Sequence, residues 1–114
     1  MKKILFLLLV AFAFGMIAFA QQKNSKVLVA YVSMTGTTAK VAQTLANVTD
    51  GELYEIEPEK RYTNADLNWR NEQSRCYVEM HDLKFRPALK GKKTNIADYD
   101  TIYIGYPIWW NIAP

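Results

Sequence analysis

The sequence predicts an α/β domain organised on a parallel sheet, with three strands inside its 114 residues. Three observations predict it. The domain begins with an unbroken apolar strand, Lys26 to Val32, rich in β-branched and aromatic residues and so suited to burial on both faces. A loop, a helix and a second strand follow within about thirty residues, the length of a βαβ unit, which crosses over right-handedly. A third apolar strand, Thr101 to Tyr106, lies near the end.

The elements between these landmarks follow from residue type. Ser33 to Thr38 is polar around Gly36 and reads as a loop. From Thr38 to Val48 the apolar residues Val41, Ala42, Leu45, Ala46 and Val48 recur at helical spacing, and Asp50-Gly51 marks the helix end. Leu53-Tyr54-Glu55-Ile56 alternates as a short second strand and is closed by Pro58. Glu59 to Arg86 is long, polar and mixed, with a helix expected over Ala65 to His81. Asn95 to Asp100 leads into the third strand, Pro107 stops it, and Ile108-Trp109-Trp110-Asn111 emerges as a loop from its C-terminal end. Repeats, low-complexity tracts and an interdomain linker are absent from the sequence.

Residues 1–20 read as a signal peptide and 21–114 as the N-terminal part of one domain. Lys2 and Lys3 form a basic start, Ile4 to Ala20 runs uncharged, and Ala18-Phe19-Ala20 is a small-x-small cleavage site followed by a polar stretch. An uncleaved membrane anchor is the competing reading, because the apolar run approaches the length of a spanning helix. The Ala-x-Ala end and the lack of a basic stop-transfer flank favour cleavage, and with it a periplasmic or extracellular location. The membrane would then be touched only through the leader before cleavage. Three parallel strands leave two unpaired edges, so the chain is expected to be a fragment of a longer domain.

Charge and cysteine usage narrow the function. The formal charge of +3 includes Lys2 and Lys3, so the mature chain carries 12 basic residues against 11 acidic. That balance gives no support to nucleic-acid binding. Cys76 is the sole cysteine, which excludes a disulfide framework, a Cys-x-x-Cys pair and a thiolate metal cluster, and no metal site is expected. Cys76 reads as a small buried residue, and His81, the sole histidine, as a surface residue. Lys84 to Lys93 reads as a solvated turn that is also available for partner docking.

Two loops carry the chemistry. Ser33-Met34-Thr35-Gly36-Thr37-Thr38 lies between the first strand and the first helix, where open α/β sheets bind ligands. Its four hydroxyls, the backbone freedom of Gly36 and the positive end of the helix suit a phosphate, although an ordinary N-cap with a loop glycine would use the same residues. The loop holds no lysine or arginine. A triphosphate P-loop is excluded by the missing Gly-Lys-Ser/Thr end, and a dinucleotide fold by the missing Gly-x-Gly-x-x-Gly. A Cys-loop-Arg phosphatase would need a cysteine where Ser33 stands, and a phospho-acceptor domain an aspartate where Val32 or Tyr106 stands. The second loop is Pro107-Ile108-Trp109-Trp110-Asn111. Its paired tryptophans fold onto a core, form an interface, or cover a flat aromatic ligand by stacking. Taken together, the loops specify a ligand with a phosphate at one end and a flat ring at the other, a description that FMN fits.

At these residues the chain resembles the flavodoxin family. The resemblance runs from Lys26 to Pro114 and rests on Val27-Leu28-Val29-Ala30-Tyr31, on Ser33-x-Thr35-Gly36-x-Thr38, on Glu55-Ile56-Glu57-Pro58, and on Asp98-Tyr99-Asp100 through Ile104-Gly105-Tyr106-Pro107-Ile108-Trp109-Trp110. It implies a flavodoxin-like, doubly wound sheet of five strands in order 2-1-3-4-5, of which this chain holds the first three in order 2-1-3. It also implies FMN as cofactor, with Ser33 to Thr38 around the phosphate and Pro107 to Asn111 along the isoalloxazine. Trp109 is the expected stacking residue, with Trp110 and Asn111 giving backbone or edge contacts. The implied function is electron transfer to a redox partner that the sequence does not name, with no residue in a catalytic role. Two alternatives remain open: an FMN-dependent NAD(P)H:quinone-type oxidoreductase of the same fold, and a flavin-free binding module that kept it.

Overall fold

The structure is a computed structural model and describes residues 24–114; the leader reading falls outside them. Three strands, β1 (Val27–Tyr31), β2 (Glu52–Glu55) and β3 (Thr101–Gly105), form one parallel sheet in the order β2-β1-β3, as the resemblance implies. Helix α1 (Thr37–Thr49) crosses from β1 to β2, and a short helix α2 (Arg75–His81) lies in the long connection from β2 to β3. The strands and α1 fall within a residue of their sequence-based bounds.

β1 is central because both of its faces are apolar. Val29 and Tyr31 pack with Ala42 and Ala46 of α1, and the small alanines let the helix lie close to the sheet. Leu28 and Ala30 point the opposite way and pack with Tyr99, with Tyr54 and Ile56 completing that cluster. Leu28 is 0% exposed and Val29 1%, so alternate side chains of one strand are removed from water on opposite sides. β3, one of the two edge strands of the described sheet, keeps Ile102, Tyr103 and Ile104 exposed.

Helix α1 ends at Asp50, which takes a left-handed conformation at φ 50°, and the Gly51 amide donates to the Ala46 carbonyl at 2.9 Å. The chain then turns straight into β2. At the start of the sheet Glu52 joins β2 to the approach of β3: it accepts from Lys93 Nζ at 2.6 Å and from the Tyr99 hydroxyl. The Lys93 ammonium also lies 5.2 Å from the Tyr99 ring centroid.

The helix expected over Ala65 to His81 forms only in its second half, as α2. The first half is a series of turns, and local side chains explain why. Thr63 and Asp66 cap one another, Thr63 N donating to Asp66 Oδ2 at 2.8 Å and Asp66 N to Thr63 Oγ1 at 3.2 Å. Asn68 and Asn71 then accept from the amides of Arg70 and Gln73, two residues on, at 3.2 and 3.0 Å. These asparagines offer the backbone partners that a continuous helix would have to replace. The helix starts after Ser74, whose Oγ accepts from Tyr77 N.

The whole excursion is pinned at its base. Glu59 N donates to Ala88 O at 2.8 Å and Lys90 N to Glu57 O at 3.0 Å, and Lys90 Nζ bonds the Glu57 carboxylate at 2.9 Å. The stretch from Lys84 to Lys93 is therefore largely exposed, yet Lys90 and Lys93 act as ties to β2 and its exit rather than as free solvated charges.

The bonds from Lys93 and then from Tyr99 hold the Glu52 carboxyl below the usual glutamate range. A carboxyl depressed in the folded state contributes stability above its unfolded pKa, about 4.3, and loses it as pH falls through the lower folded value. Urea midpoints measured from pH 6 down to pH 3 should therefore fall less steeply for Glu52→Gln than for the wild type. Parallel curves would show that Glu52 carries none of the acid sensitivity.

Candidate functional site

The C-terminal ends of β1 and β3 are neighbours because Tyr31 pairs with Gly105 in the parallel register, and Val32 N extends the pairing to Gly105 O at 2.8 Å. The chain leaves β1 into Ser33 to Thr38 and leaves β3 into Pro107 to Asn111. Both loops therefore open on the same side of the sheet, at the point where the strand order reverses.

The first loop is shaped by Gly36. Its φ of 94° is left-handed, whereas an added Cβ would meet nothing within 4 Å, so glycine is required by the backbone and not by crowding. Ser33 Oγ accepts from Gly36 N at 3.1 Å and closes the turn. Gly36 is also the N-cap of α1, and no side chain caps the helix. The first-turn amides thus keep their donor capacity beside the hydroxyls of Thr35, Thr37 and Thr38.

The second loop reverses tightly. Trp109 and Ile112 exchange both backbone bonds at 2.9 Å, with Trp110 (φ 45°) and Asn111 (φ 66°) left-handed between them. Asparagine tolerates that region, but tryptophan adopts it only where surroundings hold it. Here the surroundings are α2. Tyr77 and His81 stack on each other at 4.0 Å, and both meet Trp110 edge-on, at 5.8 and 5.6 Å between ring centroids. His81 is at the surface, as the sequence suggests, and its Nδ1 bonds the Tyr77 carbonyl at 2.8 Å. Its aromatic face nonetheless belongs to the loop.

Between the loops lies a cavity of about 660 Å³. Ser33, Met34, Thr35, Thr37 and Thr38 line one end, and Pro107, Ile108, Trp109 and Trp110 line the other. Gly36 shapes the first loop without lining the cavity, and Asn111 forms the turn without lining it. The volume lies in the range of cofactor pockets, about 300–1,000 Å³. None of the lining residues is charged, so a phosphate there meets hydroxyls and helix amides, and a flat ring meets indole and proline faces. The donor set and the shape fit FMN.

Three further lining residues come from the excursion: Leu67, Trp69 and Cys76. Cys76 is buried, 3.5 Å from Ser74 Oγ, and its amide bonds Asp66 O at 2.9 Å, which fastens the turns to α2. The one sequence signal that could mark Trp69 is a tryptophan within the polar stretch Glu59 to Arg86. Nothing in the residue pattern marked Leu67 or Cys76, whose place depends on how the turns fold back.

Comparison with known proteins agrees with this fold. Residues 26–114 match the model of the family described as Flavodoxin. Among solved structures the chain is similar to a protein assigned as a flavoprotein from Bacteroides eggerthii DSM 20697, at 58% identity and a TM-score of 0.77 over 79% of this chain and 57% of that one. A second protein assigned as a flavoprotein, from Bacteroides uniformis ATCC 8492, is 59% identical with a TM-score of 0.77 over 81% of this chain and 59% of that one. The chain spans less than three-fifths of the length of either. A search of the curated proteins returns no match. The sheet order, the paired loops and the match over nearly all of the described residues place this chain in the flavodoxin family of flavoproteins.

Proposed function

We propose that the protein binds FMN and transfers electrons through it outside the cytoplasm. The observation that carries the reading is the single cavity that joins the hydroxyl loop of β1 to the tryptophan loop of β3. Bound there, FMN would supply one- and two-electron chemistry, and the protein would set its affinity and potential. The α1 amides, with Thr35, Thr37 and Thr38, bind the phosphate end by dipoles and hydroxyls. Trp109 lies along the ring end, with Trp110 held beside it by Tyr77 and His81. Pro107 and Ile108 add apolar surface to that end.

A second reading, an oxidoreductase of the same fold that takes electrons from a nicotinamide and passes them to a quinone-type acceptor, has one observation in its favour. A second cavity of about 580 Å³ lies beside the first, shares Met34 and Trp109 with it, and is walled by Ile56, Met80, Phe85 and other apolar side chains. Steady NAD(P)H oxidation by the flavin-loaded protein with a small quinone, without a protein partner, would favour this reading.

Titration of the purified protein with FMN and with riboflavin tests the site from both ends. Trp109→Ala should weaken both flavins by about tenfold, through loss of stacking and burial. Gly36→Ala forces a left-handed alanine at a cost of about 1–2 kcal/mol and should weaken FMN more than riboflavin, which lacks the phosphate. Unchanged affinity in both variants would remove the cavity as the flavin site. Export rests on the leader sequence and is tested by the mature N-terminus: Edman sequencing of the secreted or periplasmic protein should begin at Gln21, whereas an intact Met1 would contradict cleavage.

A further inference from the structure

We propose that Tyr62, held by Glu79 and Arg75, is a positioning residue that fixes the plane of Trp109 and so sets how tightly the flavin ring is held. The proposal rests on the reading of the cavity as a flavin site. Trp109 forms the wall between the two cavities, lining both, whereas Tyr62 lines only the second. Tyr62 therefore supports the indole from the side of the second cavity. Its ring meets Trp109 edge to face, with centroids 5.7 Å apart and planes at 84°.

Tyr62 is itself restrained at every free group. Its hydroxyl donates to Glu79 Oε2. Arg75 Nε donates to the other oxygen of that carboxylate at 2.6 Å, and the guanidinium lies 3.8 Å from the Tyr62 ring centroid. Arg75 NH1 bonds the Lys60 carbonyl at 2.7 Å, which ties the cluster back to the chain just before Tyr62. The Arg75 and Glu79 side chains are only 18% and 11% exposed, so the pair is shielded from water and works as a rigid unit. Burial first, and then the bond to Glu79, raises the Tyr62 pKa, so the hydroxyl stays a donor throughout the physiological range. A stacking plate loses affinity when it is free to rotate, because binding must then order it.

The test uses Tyr62→Ala, Tyr62→Phe and Trp109→Phe in the purified protein, with far-UV circular dichroism to establish that each variant is folded. In Tyr62→Ala the Trp109 contribution to the near-UV indole bands, read as the difference from Trp109→Phe, should be lost while those of Trp69 and Trp110 remain, FMN and riboflavin should both weaken by about fivefold, and their affinity ratio should stay at the wild-type value. Tyr62→Phe keeps the ring and should recover most of the affinity. With Trp109→Phe already present, adding Tyr62→Ala should change the near-UV spectrum little. Wild-type indole bands in Tyr62→Ala would overturn the proposal, as would a change in the FMN-to-riboflavin ratio, which would point to a general disturbance reaching the phosphate end. Absence of FMN binding by the wild type would instead refute the flavin reading, and the near-UV bands of the ligand-free protein would still decide whether Tyr62 orders Trp109.

Discussion

The parallel pairing of β1 with β3 is the constraint from which the site follows. β1 buries Leu28 and Ala30 on one face and Val29 and Tyr31 on the other, so it can lie only inside the sheet. Once β3 pairs alongside it, from Val27 with Thr101 to Tyr31 with Gly105, the two strands end level. The hydroxyl loop and the tryptophan loop then have no choice but to face each other. A slip of the register by one residue would exchange the two faces of β1, set Leu28 and Ala30 against the alanines of α1, and misalign the loops. Packing of apolar side chains therefore decides the ligand geometry before any polar contact is made.

The excursion between β2 and β3 does more than connect them. It is pinned at its base by Glu57, Glu59, Ala88 and Lys90, and it leans over the same end of the sheet as the two loops. From there it closes one wall of the cavity with Leu67, Trp69 and Cys76, and places aromatic side chains against both tryptophans. The left-handed Trp110 is explained by the same contacts, because the stacked Tyr77 and His81 hold its ring where the tight reversal of the chain requires it.

How much of this was legible in the sequence depends on how local the signal is. The apolar run of β1, the helical spacing of Val41, Ala42, Leu45 and Ala46, and the proline after β3 are properties of short segments, and the elements they indicate are present. The position of the two loops was legible for the same reason: each is a contiguous run that follows a recognisable strand. The region from Ala65 to Ser74 reads as helix in the sequence because its composition allows one, and the competition comes from individual side chains of Thr63, Asp66, Asn68 and Asn71. His81 and Cys76 lay far in sequence from either loop, so their contacts with the site depended on a fold-back that no local pattern encodes. Arg75 and Glu79 were spaced for a helical ion pair, yet only the position of Tyr62 turns that pair into a brace.

A crystal structure of the protein grown with FMN would read both ends of the cavity at once. The phosphate should lie against the amides at the start of α1 and the hydroxyls of Thr35, Thr37 and Thr38, with the isoalloxazine in van der Waals contact with the Trp109 indole. Density for the flavin outside this cavity, or a phosphate remote from Ser33 to Thr38, would contradict it.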